Sequence, residues 1–294
     1  MRPTHLLLLL GMNLLWSASY SINKALAPHL GATDLVTLRY ALATVCLLPL
    51  WPWLPGSAPR GRDLATALIM GVLVFSAAQQ LQVAGVQLGR AGDTSLLIAL
   101  DPLVTSLGAA VFLGERLAAR RWLGFGLGML GAVCLARPWS GAFHWPGLVA
   151  NGLILLSLGC EAAYSSMGKP LLERVAAMKL LVVALLGGTA VNLLLAAPRG
   201  LAAVQVMPVS AWWLMAYLVI VCTLVGYPLW LVVIREAEVN AVALTIFVQP
   251  AAGLLIAHLW LKEPLHAGHF WGSLAIVAGL LVGLRDVRVS PART

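Results

Sequence analysis

Charge is what this chain has least of. Only 10% of its 294 residues are Asp, Glu, Lys or Arg, whereas 61% are hydrophobic, and the mean hydropathy is +0.91. That is too little polar surface to cover a water-soluble globule, so soluble enzymes and soluble binding domains are excluded. Cysteine is scarce as well. Cys46, Cys134, Cys160 and Cys222 stand singly in apolar stretches without a CxxC spacing, which leaves no disulfide framework or zinc motif and makes them small hydrophobes. Also missing are a Gly-rich phosphate loop, an HExxH pair and a GxSxG elbow. Nothing in the sequence therefore supports an enzyme, a bound cofactor or a nucleotide-driven pump. No metal is expected either: His266, His269 and Glu263 share one loop, but a loose loop grouping is weak grounds for a metal site.

What fills the chain is long apolar runs. Ten are legible, centred on Leu14, Thr44, Val74, Asp101, Gly128, Leu156, Leu186, Ile220, Pro250 and Ala278. At roughly 20 residues per crossing they use about 200 residues and leave only short connections. The net charge of +8 does not imply nucleic acid, because the membrane accounts for where the basic residues fall. With both termini in the cytoplasm, only Lys24, Arg90, Arg137, Arg199 and Lys262 face outward, and the remaining loop and terminal Lys and Arg residues face inward. This positive-inside bias leads us to expect a multi-pass inner-membrane protein with both termini cytoplasmic. Met1 to Ala27 has the basic start, Leu run and small residues of a signal peptide. Asn13, Trp16, Tyr20 and Asn23 mark one face of it, however, so it reads as a retained first crossing.

The chain also repeats itself. TSLLIALDPLVTSLGAAVFLGE, from Thr94 to Glu115, returns as VALTIFVQPAAGLLIAHLWLKE, from Val242 to Glu263. A constant shift of 148 residues lays Pro102 on Pro250 and Glu115 on Glu263. A mid-helix proline removes a backbone hydrogen bond and is tolerated in a bilayer where neighbours or water satisfy the freed carbonyl, so Pro102 and Pro250 read as breaks in cavity-lining helices. Paired interrupted segments in two halves point to a transporter's binding site. The ten crossings divide into residues 1–140 and 141–294, with the boundary in RPWSGAFHWPG, Arg137 to Gly147. An odd number of crossings per half turns one half upside down. The expected fold is therefore all-α, ten transmembrane helices in a five-plus-five inverted-topology repeat. Segments 1, 3, 4, 6, 8 and 9 keep polar side chains on one helical face and are expected to line a shared cavity. Segments 5 and 10 are apolar and glycine-rich, with Gly124, Gly128 and Gly131 in one and Gly272, Gly279 and Gly283 in the other. They read as packing helices, either within a monomer or between subunits.

Trp16-Ser17 and Asn23-Lys24 in the first segment, Arg39 in the second, the duplicated Pro-to-Glu runs and the glycine helices after them resemble the drug/metabolite transporter superfamily, in its ten-helix branch of two EamA-type repeats. The resemblance spans roughly Leu6 to Leu284. It implies a carrier whose halves rock about a central cavity, and within the branch the chain looks most like bacterial exporters of aromatic amino acids. Two departures touch the cargo rather than the fold. Asp101 precedes Pro102 where family members often carry an apolar or small residue, and Lys262-Glu263-Pro264 replaces the usual small residue, glutamate and open position.

The reading that follows is a secondary active or facilitative exporter of small metabolites working by alternating access. Its expected cargo is an amino acid with an aromatic or large apolar side chain, and it is expected to act as a monomer among membrane lipid. An exporter of drug-like organic cations and a lipid-carrier flippase are the alternatives on the same scaffold. The candidate cavity residues are Trp16, Tyr20, Phe75, Gln79, Gln82, Asp101, Tyr164, Ser165, Tyr227, Trp230, Thr245 and Gln249. Asp101 suits either a substrate ammonium or proton uptake, with helix capping beside Pro102 as the plainer role. Arg39, Asp101 and Glu161 are candidate charge partners: Arg39 either grips a substrate carboxylate or is tied to Glu161 or Asp101. Glu115 and Glu263 read as helix-end caps or as partners of Arg116, Arg120 and Lys262. Lys24 reads as a snorkelling cation, and His258 as a filler or a titrating gate.

Overall fold

The computed structural model describes residues 3–101, 103–104, 119–136, 145–197, 202–229 and 248–284. Every regular element among them is helical. In chain order the main helices are α1 (Pro3–Ala25), α2 (Ala32–Leu47), α3 (Arg62–Leu88), α4 (Ala91–Ile98), α5 (Ala119–Ala136), α6 (Trp145–Leu172), α7 (Ala177–Ala196), α8 (Val209–Leu229), α9 (Val248–Trp260) and α10 (Ala267–Leu284). Among the described residues five stretches are long and apolar enough to cross a bilayer: Ala32–Trp53, Arg62–Leu88, Trp145–Ala162, Ala177–Ala196 and Val209–Leu229. In hydrocarbon every backbone N–H and C=O must be paired within the chain, and helices do this locally, which is why so apolar a sequence folds this way. The outer surface carries the residues that lipid accepts, among them Leu7, Leu14, Leu156, Leu194, Trp53, Trp145 and Trp213, all exposed.

The glycines of α5 and α10 show how the halves meet. A methyl group on Gly131 would lie 2.9 Å from the carbonyl oxygen of Gly272, and one on Gly279 would lie 2.6 Å from that of Gly124. Under the shift of 148, Gly124 corresponds to Gly272 and Gly131 to Gly279. Each contact is thus the mirror of the other, the reciprocity that a two-fold axis imposes. Moving up α5 from Gly124 to Gly131 means moving down α10 from Gly279 to Gly272, so the equivalent helices run antiparallel. Only an axis perpendicular to the helices, and hence in the plane of the membrane, relates them this way. The two halves are inverted repeats, and the close glycine packing is made within one chain.

Two further pairs of counterparts face each other. On α2 and α7, Thr44 and Thr189 share a hydroxyl hydrogen bond of 2.9 Å. On α4 and α9, the Ser95 hydroxyl donates to the carbonyls of Gln249 (2.7 Å) and Pro250 (3.2 Å). Around these seams the apolar side chains gather into two cores. One is built by α2, α3, α7 and α8, with Tyr40, Met70, Phe75, Leu185 and Met215 at its centre. The other is built by α4, α5, α6, α9 and α10, with Leu97, Leu103, Leu158, Ala257 and Ile276. α1 passes between them.

α3 and α8 both leave α-helical geometry at matching places. Val72–Ala78 and Leu218–Val225 are π-helical, with wider turns closed between residues five apart. In each, a side chain from another helix donates to a carbonyl of the widened turn: Asn192 Nδ2 to Phe75 O at 2.8 Å, and Trp16 Nε1 to Cys222 O at 2.9 Å. Asn192 Oδ1 in turn accepts from Ser76 Oγ at 2.8 Å and Gln80 Nε2 at 3.1 Å. Insertions of this kind are recognised causes of local helix widening and often mark functional positions.

Candidate functional site

Between the two cores lies a cavity of about 150 Å³. α1 supplies Asn13, Trp16, Ser19 and Tyr20 to its wall, α3 supplies Val74, Gln79 and Gln82, and the end of α4 supplies Ile98 and Asp101. Arg39 enters from α2, Glu161 from α6, Tyr227 from α8 and Gln249 from α9. A polar chain crosses one side. Tyr20 donates its hydroxyl to Gln249 Oε1 at 2.6 Å, and Gln249 Nε2 donates to Asn13 Oδ1 at 2.6 Å. On the other side the rings stack as a wall: Trp16 lies 5.5 Å from Tyr227, Tyr227 lies 5.0 Å from Phe75, and Phe75 lies 5.2 Å from Tyr40, all tilted or edge-on. Such tilted pairs place ring edges against ring faces, the preferred electrostatic arrangement.

The charged groups carry the chemistry. Arg39 is 5% exposed. Its Nε donates to Thr223 Oγ1 at 3.0 Å, and its Nη1 reaches Gln79 Oε1 at 3.4 Å. Among the described residues no carboxylate forms an ion pair with it, so the tie to Glu161 or Asp101 is not made. Thr223 sits in the widened turn of α8, where its hydroxyl also donates to Leu218 O at 2.9 Å. The turn thus fixes the hydroxyl that holds the guanidinium. Glu161 Oε1 accepts from Gln82 Nε2 at 3.4 Å. One space is therefore lined by a cation and two carboxylic acids, together with amides and rings.

Of the residues expected from the sequence, Trp16, Tyr20, Gln79, Gln82, Asp101, Tyr227 and Gln249 line this space, together with Arg39 and Glu161. Phe75 stands behind the wall, fully buried against Tyr227 and Tyr40. Pro102, Trp230 and Thr245 lie outside the described residues, as do the side chains of Tyr164 and Ser165. Pro250 is in the first described turn of α9, under the Ser95 hydroxyl. Ser19, Val74 and Ile98, which the sequence does not mark, also line the space. Asn13, which the sequence sets on the polar face of the first segment, lines it as well.

A second group of polar contacts ties the ends of α1, α3, α4 and α9 together. Glu263 places its two carboxylate oxygens on the backbone N–H groups of Ala91 (2.9 Å) and Gly92 (3.0 Å), the first turn of α4. It therefore does act as a helix-end cap, but for a helix of the other repeat, and its cation is Arg90 at 3.7 Å rather than Lys262. Lys24 does not simply reach for water. Its ammonium donates to Gln87 O (2.7 Å) and Gly89 O (2.6 Å), closing the last turn of α3. Nearby, His269 Nε2 lies 2.9 Å from Asp93 Oδ1, and His266 stacks on His269 at 3.7 Å. Asp93, His266 and His269 bring their ligand atoms within 4.8 Å of one another. The His269 Nδ1 accepts from the backbone N–H of His266, which leaves the ring proton on Nε2 for Asp93. Both ring nitrogens of His269 are thus engaged within the protein.

A helical membrane protein of two inverted halves, with charged groups gathered in a cavity between its helices, is built as a carrier. The chain belongs to the EamA-like transporter family, whose model matches residues 4–137 and again 148–285. It is 28% identical over 273 residues to a protein of Streptantibioticus cattleyicolor named "Probable terminal-alkyne amino-acid exporter", covering 92% of this chain and 91% of that one. An uncharacterized transporter of Archaeoglobus fulgidus is 22% identical, covering 92% of this chain and 95% of its own. A riboflavin transporter of Vibrio cholerae is 31% identical, but over 102 residues, 35% of this chain. A protein of known crystal structure superposes with a TM-score of 0.62 at 17% identity, covering 98% of this chain and 100% of its own, which speaks for the fold alone.

Proposed function

We propose that this transporter exports amino acids with apolar side chains, aromatic or large, across the inner membrane, with both termini in the cytoplasm and one chain as the working unit. The observation that carries this reading is the enclosure of Arg39, Asp101 and Glu161 in one cavity beside the Trp16–Tyr227 wall. An α-amino acid presents a carboxylate, an ammonium and one side chain, and the cavity offers a complement to each. The name of the Streptantibioticus cattleyicolor relative supports the same class.

With two acids and several rings, the cavity also invites an organic cation, but Arg39 in the same space repels a cargo that brings no negative group. The test is counterflow in proteoliposomes with a panel of radiolabelled amino acids and lipophilic cations at two pH values. Exchange of leucine, methionine or phenylalanine above that of the cations is the expected result. Exchange of cations alone would overturn the reading.

A further inference from the structure

Building on the amino-acid reading, we propose that Arg39 is the specificity-determining residue of the cavity: it receives the α-carboxylate of the cargo and thereby rejects amines of the same shape. A guanidinium has five N–H donors in a rigid fork. In Arg39 one donor is taken by Thr223 and one, at 3.4 Å, by Gln79, and no other described residue accepts from it. A cation that is 5% exposed and makes no ion pair among the described residues is expensive to keep in a low-dielectric interior. Thr223 and Gln79 are neutral oxygens, so they hold the guanidinium in place without discharging it. A carboxylate entering the cavity supplies the missing charge and matches the fork with two parallel hydrogen bonds.

The other walls narrow the class further. Asp101 and Glu161 line the same space and give a cargo's ammonium oxygens to meet, whereas an amine without a carboxylate brings nothing for the guanidinium. The amide and hydroxyl chain of Tyr20, Gln249 and Asn13 adds neutral acceptors and donors beside it. Thr223 and Gln79 are positioning residues in this scheme, acting on the cargo through Arg39.

The experiment compares three probes of one carbon skeleton: L-leucine, 3-methylbutylamine, which lacks the carboxylate, and 4-methylpentanoate, which lacks the ammonium. Transport by the wild-type protein in proteoliposomes should favour leucine over the amine by at least about tenfold in kcat/KM, since a site built around a buried polar partner rejects analogues that leave it unpaired. Arg39→Gln should raise the KM for leucine at least about tenfold and remove the discrimination against the amine. Arg39→Lys should fall between, because a point charge replaces a fork. Thr223→Val keeps the charge and should raise the KM for leucine while preserving the order of the probes, which keeps the test alive if Arg39→Gln fails to fold. Equal transport of leucine and the amine by the wild type, or an unchanged KM for leucine in Arg39→Gln, would overturn the role of Arg39 and leave the amino-acid reading standing. Absence of transport for every amino acid would sink both.

Discussion

At the scale of single residues, the cavity wall is a set of polar side chains that hydrocarbon would reject and that satisfy one another. Gln249 is the clearest case, since it accepts from Tyr20 and donates to Asn13 with both atoms of one amide. Gln249→Leu strands two buried partners at once, at a cost of about 1–3 kcal/mol for each orphaned group. The expected outcome is a marked drop in the melting temperature of the detergent-solubilised protein, whereas Gln249→Glu, which keeps an acceptor for Tyr20, loses less. Much of this wall was readable beforehand. Asn13, Trp16 and Tyr20 recur at helical spacing on α1, as do Gln79 and Gln82 on α3, because a bilayer permits polar residues only where they find partners or water. Ser19, Val74 and Ile98 gave no such signal. An apolar or small residue looks the same in sequence whether it faces lipid, core or cavity.

At the scale of elements, the widened turns of α3 and α8 were invisible in the sequence. Neither VLVFSAA nor LVIVCTLV contains a proline or a glycine, so nothing local announces a break. The departures are associated with donors from elsewhere, Asn192 on α7 and Trp16 on α1, and such donors are known only once the helices are packed. Asn192→Leu removes the donor to Phe75 O and the acceptor for Ser76 and Gln80. We expect faster amide hydrogen exchange confined to the middle of α3 together with reduced transport; unchanged exchange there would show that the turn holds without Asn192. The glycine pattern of α5 and α10, by contrast, was legible, and only its partner was open. Gly279→Val would press a side chain against the Gly124 carbonyl, where an added carbon sits at 2.6 Å and the obstacle is backbone. Overpacking of this kind costs about 1–3 kcal/mol, measurable as a lowered melting temperature, while valine at Gly126, whose added carbon meets nothing within 4 Å, should be tolerated.

At the scale of the whole molecule, the duplication seen in the sequence and the reciprocal contacts of α5 with α10 describe one design, in which two halves of opposite orientation are related by one axis. A carrier that works by alternating access opens its cavity at one end and closes it at the other as its halves rock. At one end of the α4–α9 seam Glu263 joins the repeats through Ala91, Gly92 and Arg90. A covalent bond there tests whether that junction must be undone in each cycle. A β-carbon on Gly92 would lie 3.7 Å from that of Ala257, within the spacing of about 3.5–4.5 Å that a disulfide spans without strain. The Leu254 δ-carbon at 2.9 Å and the Glu263 carboxylate oxygen at 3.2 Å from the same point both end flexible side chains and can shift aside. The double variant Gly92→Cys, Ala257→Cys, made in a protein whose exposed Cys46 is replaced by serine, should transport normally when reduced, stop when oxidised and recover on reduction. Undiminished transport by the fully oxidised protein would mean that the α4–α9 seam stays shut throughout the cycle, and that the halves do not rock about it.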